Sequence, residues 1–144
     1  MLIGEYKHTL DAKKRVAVPA RFRKELGRGV VVTHGFDKCL FVYSKENWQK
    51  LASKLATLPV GKRTTRGLNR FIFGGAVLSD IDSLGRILIP DFLRSFADLK
   101  TKVVIVGVHE RLEIWDEKHW QAYKGRVTNQ ADTFAEKLGE LGTF

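Results

Sequence analysis

Apolar and polar positions change their spacing several times along this chain, and each change marks an element. From Ile3 to Leu10, Tyr6, His8 and Leu10 fall on one side and Lys7 and Thr9 on the other, as in a half-buried strand. Asp11 to Arg15 is a polar turn, opened by a residue whose carboxylate can accept from backbone N–H groups two positions on. The triplet Val16–Val18 reads as a buried strand. Pro19 ends its ladder and starts a short helix, Ala20–Leu26, with Phe22 and Leu26 inward. Gly27 and Gly29 break that helix, and strands Val30–Thr33 and Cys39–Tyr43 follow on either side of a turn at Gly35–Lys38. Ser44 then caps a longer helix, along which Trp48, Leu51, Ala52 and Leu55 recur at helical spacing.

The succession is then repeated. Asp11-x-x-x-Arg15, three apolar residues and Pro19 return as Asp82-x-x-x-Arg86, Ile87–Ile89 and Pro90, 71 positions later. At the same offset Leu10 meets Ile81, Phe22 meets Leu93 and Arg23 meets Arg94. One residue is gained, and at offset 72 Val31-Val32 meets Val103-Val104, Gly35 meets Gly107, Leu40 meets Leu112 and Trp48-Gln49 meets Trp120-Gln121. The second copy therefore predicts a helix Asp91–Phe96 with Leu93 and Phe96 inward, and strands Val103–Val106 and Leu112–Trp115 around a turn at His109–Arg111. Asp116 then caps a helix carrying Trp120, Tyr123 and Val127. Such a tandem duplication fixes the architecture.

The expected organisation is a first repeat over residues 1–58, a connector over 59–76, a second repeat over 77–127 and a polar tail over 128–144. Pro59-Val60-Gly61 marks the boundary, and the basic stretch Lys62–Arg70 reads as a helix leading into Phe71–Ala76. In the tail Ala131, Phe134, Ala135 and Leu138 could form one amphipathic turn or two. The strand-rich repeats predict an α+β protein, mainly β. About 50 structured residues make a marginal core alone, so the repeats are expected to pack on each other.

Charge breaks the symmetry of the copies. Net charge is +9, but residues 1–58 carry 12 Lys/Arg against 5 Asp/Glu, residues 59–78 carry 4 basic side chains with no acid, and residues 79–144 carry 9 against 11. A polyanion facing the N-terminal half would account for this. No apolar run approaches the ~18 residues of a membrane span, and the N-terminus lacks a basic-then-apolar signal pattern. The expectation is a soluble cytoplasmic protein with no membrane partner. Cys39 is the only cysteine, so no internal disulfide forms, and it reads as a small buried residue.

Catalytic patterns are lacking. His8, His34, His109 and His119 show no metal-ligand spacing, Gly74-Gly75 is not a phosphate loop, and no nucleophile–base set stands out. No enzyme, metal or cofactor is expected. Binding has more support. The first turn displays Lys13, Lys14 and Arg15 together, with Lys7, Arg21, Arg23, Lys24 and Arg28 close in sequence. Lysines can attract phosphates and an arginine can chelate guanine, in the manner of β-ribbon readers. The second turn has Ser83, Leu84 and Gly85 instead, and so keeps the shape with less charge. Gly85 suits a left-handed position; Lys14 in its place implies a different turn or a mildly strained one. Two roles stay open for each arginine. Arg15 can contact DNA with Asp11 orienting it, or pair with an aspartate to hold the turn. Arg86 can contact DNA, or be held by Asp82.

The duplicated Asp-x-x-x-Arg phrases, with Val18-Pro19-Ala20-Arg21-Phe22-Arg23, Leu84–Pro90 and Glu113-Ile114-Trp115-Asp116, resemble the tandem SpoVT-AbrB-type modules of the MraZ family over nearly all of residues 1–127. The resemblance implies an AbrB-like swapped-hairpin (double-split) β-barrel built from both repeats. It also implies a ring-shaped homo-oligomer, an octamer or similar, located at the nucleoid. The implied function is transcriptional control of the division and cell-wall gene cluster, through double-stranded DNA carrying G-rich direct repeats. The candidate DNA-binding residues are Lys7, Lys13, Lys14, Arg15, Arg21, Arg23 and Arg86, with Asp11, Asp82 and Gly85 organising the turns. An antitoxin-type protein-interaction module and an RNA-binding protein are the alternatives.

Overall fold

A computed structural model describes residues 1–143. Its strands are β1 (Leu2–Thr9), β2 (Arg15–Ala17), β3 (Gly29–His34), β4 (Leu40–Ser44), β5 (Val77–Asp80), β6 (Arg86–Leu88), β7 (Lys102–His109) and β8 (Arg111–Asp116). The helices are α1 (Ala20–Leu26), α2 (Lys45–Ala56), α3 (Arg63–Gly74), α4 (Asp91–Phe96) and α5 (Glu117–Gly139). Six strands form one antiparallel sheet in the order β1-β7-β8-β4-β3-β5, and β2 pairs with β6 in a separate ribbon. Replacing each strand by its equivalent in the other repeat reverses the order and leaves it unchanged, so the chain carries an internal pseudo-two-fold axis.

The opening strand of each repeat pairs with the third strand of the other: β1 with β7, and β5 with β3. Each repeat thus completes the other's part of the sheet. No closed barrel forms, since no ladder joins β1 to β5 among the described residues. The ribbon with α1 and α4 covers one face of the sheet, where Val16, Val18, Phe22, Ile87, Ile89 and Leu93 are buried against Val30, Val42, Ile105 and Ile114. On the other face Phe41, Tyr43 and Trp115 are covered by Trp48 and Leu51 of α2 and by Trp120 and Tyr123 of α5. Burying each large side chain is worth roughly 1.5–3 kcal/mol.

Local chemistry explains the ends. Ser44 accepts from the Asn47 N–H at 3.1 Å and caps α2, and Asp116 caps α5. Gly27, at φ 78°, stops α1. Four stretches differ from the reading of the sequence. Leu88, the middle residue of an apolar triplet, is 53% exposed, because alternation turns it away from the core while Ile87 and Ile89 point in. The connector helix runs past Arg70 to Gly74, since Thr33 Oγ1 donates to Ile72 O (2.6 Å) and His34 Nδ1 meets Phe71 O (2.9 Å). The second long helix continues through residue 128 to Gly139 without a break. Strand β5 has no clear sequence signal, because its only buried-side residues, Val77 and Ser79, are themselves half-exposed. Among the described residues no helix is long and apolar enough to cross a membrane.

Shared strands predict one cooperative unit. Phe22→Ala, at a fully buried position in the first repeat, costs about 3–5 kcal/mol. Its urea transition should coincide by far-UV circular dichroism and by tryptophan fluorescence, which reports Trp48 in one repeat and Trp115 and Trp120 in the other; separate transitions would mean that the repeats fold independently.

Candidate nucleic-acid interface

The ribbon of β2 and β6 sets the two Asp-x-x-x-Arg turns at its opposite ends. Arg15 lies across from Leu88 and Arg86 across from Ala17, while Val16 and Ile87 face each other on the buried side. Alternation therefore gathers Arg15, Ala17, Arg86 and Leu88 on the outer face. Two backbone bonds lengthen the ribbon: Ile89 N–H donates to Lys14 O (3.0 Å) and Val18 N–H to Gly85 O (2.8 Å).

Each turn is built by its own aspartate. Asp11 Oδ1 accepts from the backbone N–H groups of Lys13 (2.9 Å) and Arg15 (3.0 Å), and Oδ2 accepts from Arg15 Nε (2.8 Å). Asp82 accepts in the same way from Leu84 N–H (3.0 Å), Arg86 N–H (2.9 Å) and Arg86 Nε (2.9 Å). Arg86 Nη1 also stands 3.9 Å from Asp11 Oδ2, which links the turns electrostatically. The backbone N–H of the following arginine is the main influence holding each aspartate below the usual carboxylate range, so both are ionised at neutral pH. With Nε committed to Asp11, the Nη groups of Arg15 make no hydrogen bond among the described residues. The turn fixes the arginine and leaves its fork half free.

Lys14 does not change the turn. Its N–H donates to Asp11 O and that of Gly85 to Asp82 O, both at 2.9 Å, and Lys14 adopts φ 63° beside 78° for Gly85. The first turn carries the strain of a left-handed lysine, and the second does not. What differs is the space at Cα. A Cβ on Gly85 would collide with the Arg23 guanidinium, whose Nε donates to Val18 O at 3.1 Å. Arg23 thus braces the second turn from α1. Arg94 holds the equivalent place, donates to Ile89 O, and pairs with Asp91. The alignment of Arg23 with Arg94 is the sequence signal for these braces, one that a count of charges passes over.

The remaining candidates divide. Lys13 and Lys14 are exposed at the tip of the first turn. Arg21 Nη1 donates to the Tyr6 hydroxyl at 2.7 Å, with its guanidinium 5.8 Å from the Phe22 ring centre. Lys7 projects from the opposite sheet face, near Glu5, which Lys124 binds at 2.7 Å; the fold does not bring it to the ribbon. Leu84, 63% exposed, and Leu88 add an apolar element to the outer face that charge reasoning misses. Cys39 is buried, and that burial pushes its thiol far up from its ordinary pKa. Among the described residues no three His, Cys, Asp or Glu side chains stand together as a metal site.

A family model described as "MraZ protein, putative antitoxin-like" matches residues 1–71 and again 72–139. The chain is 47% identical over 141 residues to a protein of Thermoanaerobacter sp. (strain X514) named transcriptional regulator MraZ, covering 98% of this chain and 99% of that one. Proteins of the same name from Roseiflexus sp. (strain RS-1) and Acetivibrio thermocellus are 46% and 45% identical, each over at least 98% of this chain and 99% of theirs.

The two turns should differ in how they tolerate substitution at the left-handed position. Gly85→Ala forces a left-handed alanine and displaces Arg23, at a cost of about 2 kcal/mol. Lys14→Gly relieves its strain and changes stability by no more than about 1 kcal/mol. Urea midpoints of both variants measure this difference.

Proposed function

The chain belongs to the MraZ family, and from that premise we propose that this transcriptional regulator binds double-stranded DNA through the outer face of its β2–β6 ribbon. The observation that carries the reading is the Asp11–Arg15 turn. A carboxylate fixes the arginine through Nε, the Nη groups remain unpaired, and two lysines flank them. A two-stranded ribbon fits a major groove, and an arginine held in this way is prepared to chelate O6 and N7 of guanine. Lys13 and Lys14 supply phosphate attraction, and Arg21 lies at the start of α1, just beyond the ribbon. Arg23 is bound to Val18 O and acts by bracing the second turn. Arg86 is held by Asp82 through Nε in the same way, but its Nη1 also stands 3.9 Å from Asp11 Oδ2 and no lysine lies beside it, so its contribution is the smaller.

We read the sheet and the ribbon as the two walls of a split barrel, with the reading surface on the smaller wall. The target is taken to be G-rich direct repeats in the promoter of the division and cell-wall gene cluster. One turn meets only a few base pairs and binds weakly. A homo-oligomeric ring presents several turns to successive repeats and gains avidity.

Gel-shift titration on such a promoter tests the reading. Arg15→Ala should weaken specific binding by about tenfold or more, and Lys13→Ala with Lys14→Ala should weaken all sequences alike and reduce the salt slope by about two. Unchanged specific binding by Arg15→Ala would contradict the assignment.

A further inference from the structure

The outer face of the ribbon is not purely cationic. Alternation puts Leu88 across from Arg15 and Ala17 across from Arg86, and Leu84 stands at the tip of the second turn, two residues before Arg86. Both leucines are exposed, and neither is part of the two hydrophobic cores. A single surface leucine is ordinary. Two on one small face, each close to an arginine that an aspartate fixes through Nε, make a pattern.

The fold itself needs neither of them. At the 71-residue offset the first repeat has Lys13 in place of Leu84 and Ala17 in place of Leu88. The same turn is built around Lys13, and the same ladder around Ala17. Both leucines are nonetheless held firmly. Leu84 N–H donates to Asp82 Oδ1 at 3.0 Å. Leu88 lies in the β2–β6 ladder, and the N–H of the next residue, Ile89, donates to Lys14 O at 3.0 Å. A backbone fixed in advance loses little freedom on binding.

Leucine offers neither charge nor hydrogen bond, so it cannot serve a phosphate. On a face that meets base edges it has one good partner, because the 5-methyl of thymine is the large apolar group in the major groove. Residues paired across an antiparallel ladder have Cβ atoms about 5 Å apart, not far from the ~3.4 Å rise of one base step. Leu88 therefore stands about one base pair from the group that Arg15 grips.

We propose that Leu88 and Leu84 are specificity residues for thymine. Leu88 seats on the 5-methyl of a thymine adjoining the guanine that Arg15 chelates, and Leu84 seats on another near Arg86. The proposal rests on the DNA reading above and deepens it: the first turn supplies grip and charge, and the leucines of the second repeat supply apolar discrimination.

Deoxyuridine tests this, since it removes the 5-methyl and keeps the base pair. In gel shifts on the promoter fragment, thymines on both strands are replaced one at a time. Wild type should lose about fivefold in affinity at a few positions and be indifferent elsewhere. Leu88→Ala should bind the unmodified fragment about fivefold more weakly and no longer respond at one of those positions; Leu84→Ala should do the same at another. Both variants should keep the wild-type salt slope, because no phosphate contact is lost. The wild-type scan depends on no variant folding. Indifference of wild type to every replacement, or leucine variants as responsive as wild type, would overturn the proposal. A specific complex that needs Arg15 but ignores the methyl groups would overturn it and leave the DNA reading standing. Absence of any specific complex would overturn both.

Discussion

Neither repeat contains a backbone partner for its own opening strand. β1 finds its ladder on β7 and β5 finds its ladder on β3, while β2 and β6 complete each other. Everything else follows from this exchange. It makes one core out of two marginal ones, because the residues that fill the space under the ribbon come equally from both copies. It also brings two turns that are 71 residues apart in sequence onto one small outer surface. Backbone hydrogen bonds are obligatory in a buried sheet, so the surface is as firmly built as the core beneath it.

Duplication and divergence divide the work. The aspartate, the arginine and the two backbone bonds at each turn are the same to within 0.1 Å or so, and they define a shape. The residues between them differ and define the charge. Ser83, Leu84 and Gly85 relax the second turn and admit the Arg23 brace. Lys13 and Lys14 keep a strained backbone in the first and place two cations at its tip. Local strain retained in this way suits a position held for function.

Much of this was legible in the chain because its signals were local and stated twice. The Asp-x-x-x-Arg phrases, the capping Ser44 and Asp116, and the inward Phe22, Leu26 and Leu93 all declare themselves through spacing. What the spacing could not show was which surface closes the sheet. An apolar triplet reads the same whether a barrel closes or a ribbon folds over, so the exposure of Leu88 and the open edge of β5 had to come from pairing. The candidate site was legible in part. Lys13, Lys14, Arg15, Arg86 and both aspartates converge on the ribbon. Lys7 does not, because strand alternation sends it to the other face of the sheet, and Arg23 spends its donor on a backbone carbonyl. Proximity in sequence is a poor guide wherever a strand intervenes. The length of α5 escaped for another reason: its distal apolar residues, Phe134 and Leu138, are exposed, so it resembles a polar tail until the helix is seen whole.

On the proposed reading the two turns share a scaffold, and the first, with Lys13 and Lys14 beside Arg15, carries most of the DNA contact. It is tested by the affinity, for a promoter carrying the repeats, of a chain whose first turn is rewritten as the second by Ala12→Ser, Lys13→Leu and Lys14→Gly. This chain should melt at or above the wild-type temperature and lose most of its specific DNA binding. Undiminished affinity in a chain that folds as well as wild type would contradict it.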